Sequence, residues 1–221
     1  MQASDVFRQG AHVIWEANFA HPFVQGIGDG TLSEERYRFY LAQDYVYLID
    51  FSRFFAVAAA KARDLAPMER FARILDETLH FEMDLHRSIC AELGISRQEL
   101  ERTHPSPTCL AYTSYLLRVA YEGEAATLLA ALLPCSWGYG EIGLRLKASG
   151  LPRVAHYAKW IETYASVEYQ QIVEWLRMLF DGALADLGDM HRVRLQEIFD
   201  TSSRWEYLFW EMAWKMEQWP I

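Results

Sequence analysis

The stretch that says most about the fold is Leu132–Gly143, with the sequence LLPCSWGYGEIG. It follows an apolar run from Ala125, and Pro134 removes one backbone donor and clashes with the carbonyl four residues earlier. Each of its three glycines weakens a helix by about 1 kcal/mol relative to alanine. We therefore expect a broken helix here, at a point where a ligand or another backbone approaches. Cys135 is the first candidate for chemistry.

Helical periodicity continues through the rest of the chain, and no alternating stretch is long enough for a strand. The sequence predicts an all-α fold, and its 221 residues fit a single domain, 1–221. Caps and breakers place the helices at about 4–19, 33–63, 67–94, 96–102, 108–121, 125–150, 153–184 and 190–219. Residues 21–30, which contain three glycines, are expected to form a loop.

The composition excludes several classes of function. A formal net charge of −9 argues against a nucleic-acid or anionic-membrane surface, since both need a basic patch. The longest apolar runs fall short of the roughly 18 residues of a membrane helix, and the first residues do not resemble a secretory signal. The three cysteines are an odd number without a C-x-x-C pair, so we expect reduced thiols in a cytoplasmic protein.

Asp44 is the first isolated polar residue with a possible role in binding. Helical spacing puts it on one face with the aromatic residues Tyr40 and Tyr47. A carboxylate buried there without a partner costs several kcal/mol, so it is either hydrogen-bonded or binds something polar. The alternative is a surface aspartate paired with Arg53 or Arg38.

Glu206 stands in a similar position, nearly alone in polarity within the segment WEYLFW. Burial would suit it to proton transfer near neutral pH, and the alternative is a solvated glutamate on a helix face. Tyr139 follows Cys135 by four residues and can orient a substrate beside the sulfur. Cys90 and Cys109 lie in regular contexts that favour small buried hydrophobes.

A metal site is a weaker hypothesis. Glu77 and His80 match the E-x-x-H motif, but a di-iron bundle needs the motif twice in its helices, and no further copy lies in the helices from residue 108 onward. His12 could ligate haem by itself, although a lone histidine on an apolar face is more often a core residue. Three further polar residues have no assigned catalytic part and are interpreted as structural or interfacial: Glu82, Asp84 and His86.

Several of these motifs together resemble the TenA family, also known as thiaminase II, over nearly the whole chain. They are DYVY at Asp44–Tyr47, Tyr112, PCSWGY at Pro134–Tyr139, Tyr164, and the segment Glu206-x-x-Phe209-Trp210. Because it has Cys135, the chain resembles the cysteine-bearing branch of that family. The resemblance implies a heme-oxygenase-like helical bundle with no metal, no haem and no other cofactor, assembled as a homotetramer.

The resemblance also implies an activity and roles for the residues. Such enzymes hydrolyse 4-amino-5-aminomethyl-2-methylpyrimidine to the hydroxymethylpyrimidine and ammonia, and they cleave thiamin. Cys135 would attack a ring carbon while Glu206 protonates a ring nitrogen, and Asp44 would accept hydrogen bonds from the amidine-like edge. The remaining substrate-binding residues would be Tyr47, Tyr112, Tyr139, Tyr164 and Phe209.

Two alternatives remain at this point. One is a metal- or haem-dependent oxidase on the same scaffold, and the other is a pyrimidine-binding or regulatory protein without catalysis. No histidine lies near Cys135 in the sequence to act as its base.

Overall fold

The computed structural model describes residues 2–221, apart from the side chains of Phe81 and Leu85, and this part of the chain contains helices and turns but no strand. The predicted all-α class is confirmed. The helices are α1 (Ala3–Gly10), α2 (His12–Phe19), α3 (Pro22–Asp29), α4 (Glu34–Lys61), α5 (Leu65–Glu77), α6 (Met83–Glu92), α7 (Arg97–Glu101), α8 (Pro107–Glu122), α9 (Ala125–Ser149), α10 (Ala155–Tyr164), α11 (Val167–Ala183) and α12 (Asp189–Lys215). A π-helical turn, Thr78–Glu82, joins α5 to α6.

The helices group into two compact units. The first unit comprises the residues up to Leu32 and residues 126–211, and the second unit comprises residues 33–125 and 212–221. That the chain is a single domain stays a prediction. None of the helices in residues 2–221 combines the length and hydropathy needed to cross a bilayer.

An aromatic core fixes the helices of the first unit. The Trp15 ring stacks on Phe199 at 5.9 Å between centroids, and its Nε1 donates a 2.9 Å hydrogen bond to Oγ of Ser203. The hydroxyl of Tyr157 on α10 donates to the carbonyl of Leu32 at 2.9 Å. These contacts pair α2 with α12 and hold α10 against the turn that follows α3.

The second unit is built around α4, which packs against α5 and α8. Its buried face carries large aromatic side chains, among them Tyr37, Tyr40 and Phe54. Gln43 ties this helix to the loop before α8, because its amide donates to the carbonyl of His104 at 3.1 Å and accepts the backbone N–H of Ser106 at 2.8 Å.

The prediction of a loop at residues 21–30 is wrong, because most of this segment forms α3. His21 caps that helix by accepting a backbone N–H on its Nδ1, and a proline at the first helical position fits the same start. Gly30, at φ 78°, ends it. Gly26 serves close packing, since a Cβ there would lie 3.1 Å from Leu32.

Two of the predicted long helices are interrupted. The first breaks at Ala11, between α1 and α2. The predicted helix at 153–184 breaks after Tyr164, and Ser166 caps α11 by accepting the backbone N–H of Tyr169 at 3.1 Å. The π-helical turn also changes the hydrogen-bond pattern within the predicted helix at 67–94, although the chain stays helical through it.

Helix α9 runs through Pro134 without a break, so the prediction of a broken helix is wrong. Side chains from neighbouring helices donate to backbone carbonyls around the proline. Ser202 Oγ donates to the carbonyl of Ala131 at 2.5 Å, and the Tyr169 hydroxyl donates to that of Ser136 at 3.0 Å. These two hydrogen bonds tie α9 to α12 and to α11 on either side of the proline.

Candidate active site

Five of the eight predicted site residues belong to the first unit, and α9, α10 and α12 position them. Cys135 lies one helical turn before Tyr139 on α9, and Glu206 lies one turn before Phe209 on α12. Tyr164 is the last residue of α10. Cys135 is 8% exposed and Glu206 is 5% exposed, so both reactive side chains are removed from bulk water.

Tyr139 connects the three helices through its ring. Its centroid lies 4.8 Å from that of Tyr164, 5.0 Å from that of Trp210 and 5.8 Å from that of Trp160. The predicted pair Tyr139 and Tyr164 is therefore in contact. The wall that they form is aromatic, as expected of a pocket for a flat heterocycle.

Glu206 borders a small internal cavity of about 10 Å³, the space of roughly one water molecule. Pro134, Gly138, Tyr139 and Trp210 line the same cavity. The alternative of a solvated glutamate on a helix face is wrong.

A glycine of α9 allows the close backbone approach that the sequence predicts. A Cβ at Gly143 would lie 2.8 Å from the carbonyl carbon of Tyr164 and 2.9 Å from the nitrogen of Ala165. The end of α10 therefore packs directly on α9. Without this approach the ring of Tyr164 could not reach Tyr139.

The other three predicted residues belong to the second unit. Asp44 and Tyr47 lie one turn apart on α4, and Tyr112 lies on α8. The rings of Tyr47 and Tyr112 are 5.5 Å apart, so the structure brings this predicted pair together. Both tyrosines are buried, and Asp44 is 8% exposed.

The alternative of a surface Asp44 paired with arginine is not what the structure shows. Arg53 instead pairs with Asp50, and Arg38 donates to the carbonyl of Leu93. Asp44 lies beside His86, whose Nε2 is 3.5 Å from Oδ2 of the carboxylate. His86 is the residue whose role the sequence could not assign, and only its spacing of four from Cys90 marks it.

Two buried thiols lie near Asp44. Burial, with the negative charge of Asp44 as a second cause, raises the pKa of Cys90 and of Cys109 to about 12. Among the described residues, no cysteine forms a disulfide. The interpretation of Cys90 and Cys109 as inert buried thiols is consistent with these values.

The histidines of the metal hypothesis are on the surface. His80 is exposed and pairs with Asp76 at 3.0 Å. His12 is exposed beside Glu16, so its interpretation as a core residue is wrong. Within the described part of the chain, no three His, Cys, Asp or Glu side chains cluster closely enough to hold a metal ion.

Comparison with known proteins gives consistent matches over almost the full length. The model of the TENA/THI-4/PQQC family matches residues 8–216. An aminopyrimidine aminohydrolase of Halalkalibacterium halodurans is 46% identical, over 95% of this chain and 94% of the relative. One of Bacillus subtilis is 41% identical, over 99% of this chain and 92% of the relative.

Solved structures similar to this chain include a member of the same family. A TenA homologue of P. horikoshii OT3 superposes with a TM-score of 0.90 at 32% identity and covers 97% of this chain and 99% of its own. A domain of Shewanella denitrificans with a heme oxygenase-like fold gives a TM-score of 0.74 at 15% identity, covering 98% of this chain and 93% of its own, which bears on the fold alone. The heme-oxygenase-like class is confirmed.

Proposed function

The chain belongs to the TENA/THI-4/PQQC family, and from that membership we propose that it is an aminopyrimidine aminohydrolase. It hydrolyses 4-amino-5-aminomethyl-2-methylpyrimidine to the 5-hydroxymethyl compound and ammonia, and it also cleaves thiamin. The observation that carries the proposal is the burial of Cys135 and Glu206 on α9 and α12, the two helices that Tyr139 and Trp210 join. A nucleophile, an acid and an aromatic wall are the parts that this displacement requires.

The reaction proceeds through a covalent adduct. The sulfur of Cys135 bonds to an electron-poor ring carbon, and the ring nitrogen takes a proton from Glu206. The amine then leaves the exocyclic carbon as ammonia. Water adds to the resulting methylene, and departure of the thiolate restores the aromatic ring. Covalent catalysis divides one difficult displacement into easier steps.

Binding depends on few polar groups in a mostly apolar pocket. Asp44 accepts hydrogen bonds from the amidine-like edge of the pyrimidine. Phe209 supplies a stacking wall, and four hydroxyls orient the ring: those of Tyr47, Tyr112, Tyr139 and Tyr164. Asp44, Tyr47 and Tyr112 come from the second unit, and their part in binding rests on the family resemblance.

The cellular setting belongs to the same proposal. The enzyme acts in the cytoplasm as a homotetramer, with the small pyrimidine or thiamin as its ligand and without nucleic-acid or membrane partners. Support comes from the family resemblance and from the net charge of −9.

Two substitutions test the chemistry. Cys135→Ala removes the nucleophile and should lower ammonia release from the aminomethylpyrimidine by roughly 1,000-fold or more. Glu206→Gln keeps the shape but not the proton and should cost roughly 10²- to 10⁴-fold. Cys109→Ser is the matched control, because it keeps a donor toward the carbonyl of Gln43.

Unchanged turnover in either variant would remove that residue from its role. Ammonia release by the unmodified protein excludes the purely binding or regulatory alternative. A haem band or stoichiometric iron in the purified protein would instead favour the oxidase.

A further inference from the structure

His86 is a buried imidazole with both ring nitrogens directed at specific groups of the second unit. It projects from α6 and is 6% exposed. Its Nδ1 lies 3.5 Å from Sγ of Cys90, one turn further along the same helix. Its Nε2 lies 3.5 Å from Oδ2 of Asp44 on α4. Among the described residues, Nε2 has no partner at ordinary hydrogen-bond geometry.

The chemistry of these neighbours determines which nitrogen carries the proton. Burial raises the pKa of Cys90 to about 12, so this side chain stays a thiol and can donate its S–H to Nδ1. Burial lowers the pKa of His86 to about 4, so the ring is neutral near neutral pH. A neutral ring that accepts on Nδ1 carries its hydrogen on Nε2, where it faces the carboxylate.

Other groups around the ring do not change this assignment. The carbonyl of Leu41 raises the pKa of His86, and burial outweighs this effect with a smaller contribution from the charge of Arg87 in the same direction. The carboxylate of Asp84 is paired with Arg87 at 3.1 Å and is exposed. The ring therefore remains neutral, and Asp44 and the carbonyl of Leu41 compete for its one N–H.

We infer that His86 is a positioning residue for Asp44: its Nε2–H holds Oδ2 so that the carboxylate faces the amidine-like edge of a 4-aminopyrimidine. The inference rests on the proposed function. A buried carboxylate needs donors to remain ionised, and a hydrogen bond to one oxygen also fixes its rotamer. At 3.5 Å the contact is long, and such contacts tighten when substrate binds.

The decisive experiment compares two substitutions of His86. His86→Leu keeps the bulk and removes the donor, whereas His86→Gln can present its amide N–H near the position of Nε2. His86→Leu should raise the KM for the aminomethylpyrimidine roughly 10-fold with a smaller effect on kcat. His86→Gln should recover most of that loss. His80→Leu, at an exposed histidine of the same unit, should leave KM unchanged.

A substrate analogue separates positioning from a general structural role. The analogue without the 4-amino group gives Asp44 less to bind, so His86→Leu should change its KM little. Equal losses for both compounds, or no recovery in His86→Gln, would assign His86 to packing alone. An unchanged KM in His86→Leu would overturn the inference outright.

Two further measurements test the inference without measuring turnover. Calorimetric binding of 4-amino-2-methylpyrimidine should weaken in His86→Leu. This holds even if the unmodified protein releases no ammonia, since a lack of ammonia release would reject only the proposed hydrolysis. Long-range ¹H–¹⁵N NMR should show one imidazole in the Nε2–H form down to about pH 5, absent in His86→Gln. The opposite tautomer, or no binding by the unmodified protein, would reject the inference.

Discussion

At the scale of single residues, Glu82 is a half-buried carboxyl in the π-helical turn. Burial raises its pKa to about 7, against the opposing effect of a hydrogen bond with Thr78. In the unfolded chain the same carboxyl titrates near its ordinary value of 4.5. Between these two values the folded chain binds more protons than the unfolded chain, so this residue lowers stability as pH rises through the window.

Glu82→Gln should remove that pH-dependent loss, because the amide stays neutral and keeps a partner for Thr78. The gain at high pH should be at most roughly 3 kcal/mol, since Glu82 retains some contact with solvent. Urea unfolding of both proteins at about pH 5 and about pH 8 measures it. The stability difference should grow with pH, and a constant difference would contradict the assigned pKa.

Isolated polar residues were the part of the site that the sequence could identify. Asp44 and Glu206 stand alone among apolar neighbours, and both are buried in the structure. His86 could not be assigned in this way. Its contact with Asp44 joins α6 to α4 across more than forty residues of chain, and helical spacing carries no information on that scale.

At the scale of elements, two glycines of α9 should respond in opposite ways to alanine. At Gly143 the new Cβ would lie 2.8 Å from a backbone atom of Tyr164, which cannot rotate away. We expect Gly143→Ala to destabilise by about 1–3 kcal/mol despite the better helix propensity of alanine. A Cβ at Gly138 meets no heavy atom within 4 Å, so Gly138→Ala should stabilise by about 0.5–1 kcal/mol.

Denaturant unfolding of both variants beside the unmodified chain checks this pair. Stabilisation by both would show that α9 can shift away from Tyr164, and destabilisation by both would contradict the open space at Gly138.

The bounds of helices could be predicted where caps are strong. Ser33 accepts the backbone N–H of Arg36 and starts α4 where the sequence places it. The glycines of α3 misled the prediction, because the packing of Gly28 against Leu146 is a long-range property. The continuity of α9 was missed for a similar reason, since the donor Ser202 is some seventy residues away.

At the scale of the whole molecule, the sequence could predict the all-α class but not how distant residues converge. The proposed catalytic residues Cys135 and Glu206 lie in the first unit. Three of the proposed binding residues lie in the second unit: Asp44, Tyr47 and Tyr112.

The assembly is also open to measurement. If the proposed homotetramer is correct, light scattering after size exclusion should give four times the mass of one chain. The mass of a single chain, unchanged by dilution or concentration, would contradict the proposal. Because each chain has a net charge of −9, separate molecules repel one another, which disfavours nonspecific aggregation during the experiment.

The contact of Tyr139 with two indoles has an optical consequence. Trp210 and Trp160 lie 5.0 and 5.8 Å from its ring, between centroids. An electron-poor heterocycle stacked on these aromatic rings should accept excited-state electron density and quench the fluorescence of both indoles. The protein thus carries its own fluorescent reporter, and titration with an unlabelled pyrimidine can be followed without a coupled assay.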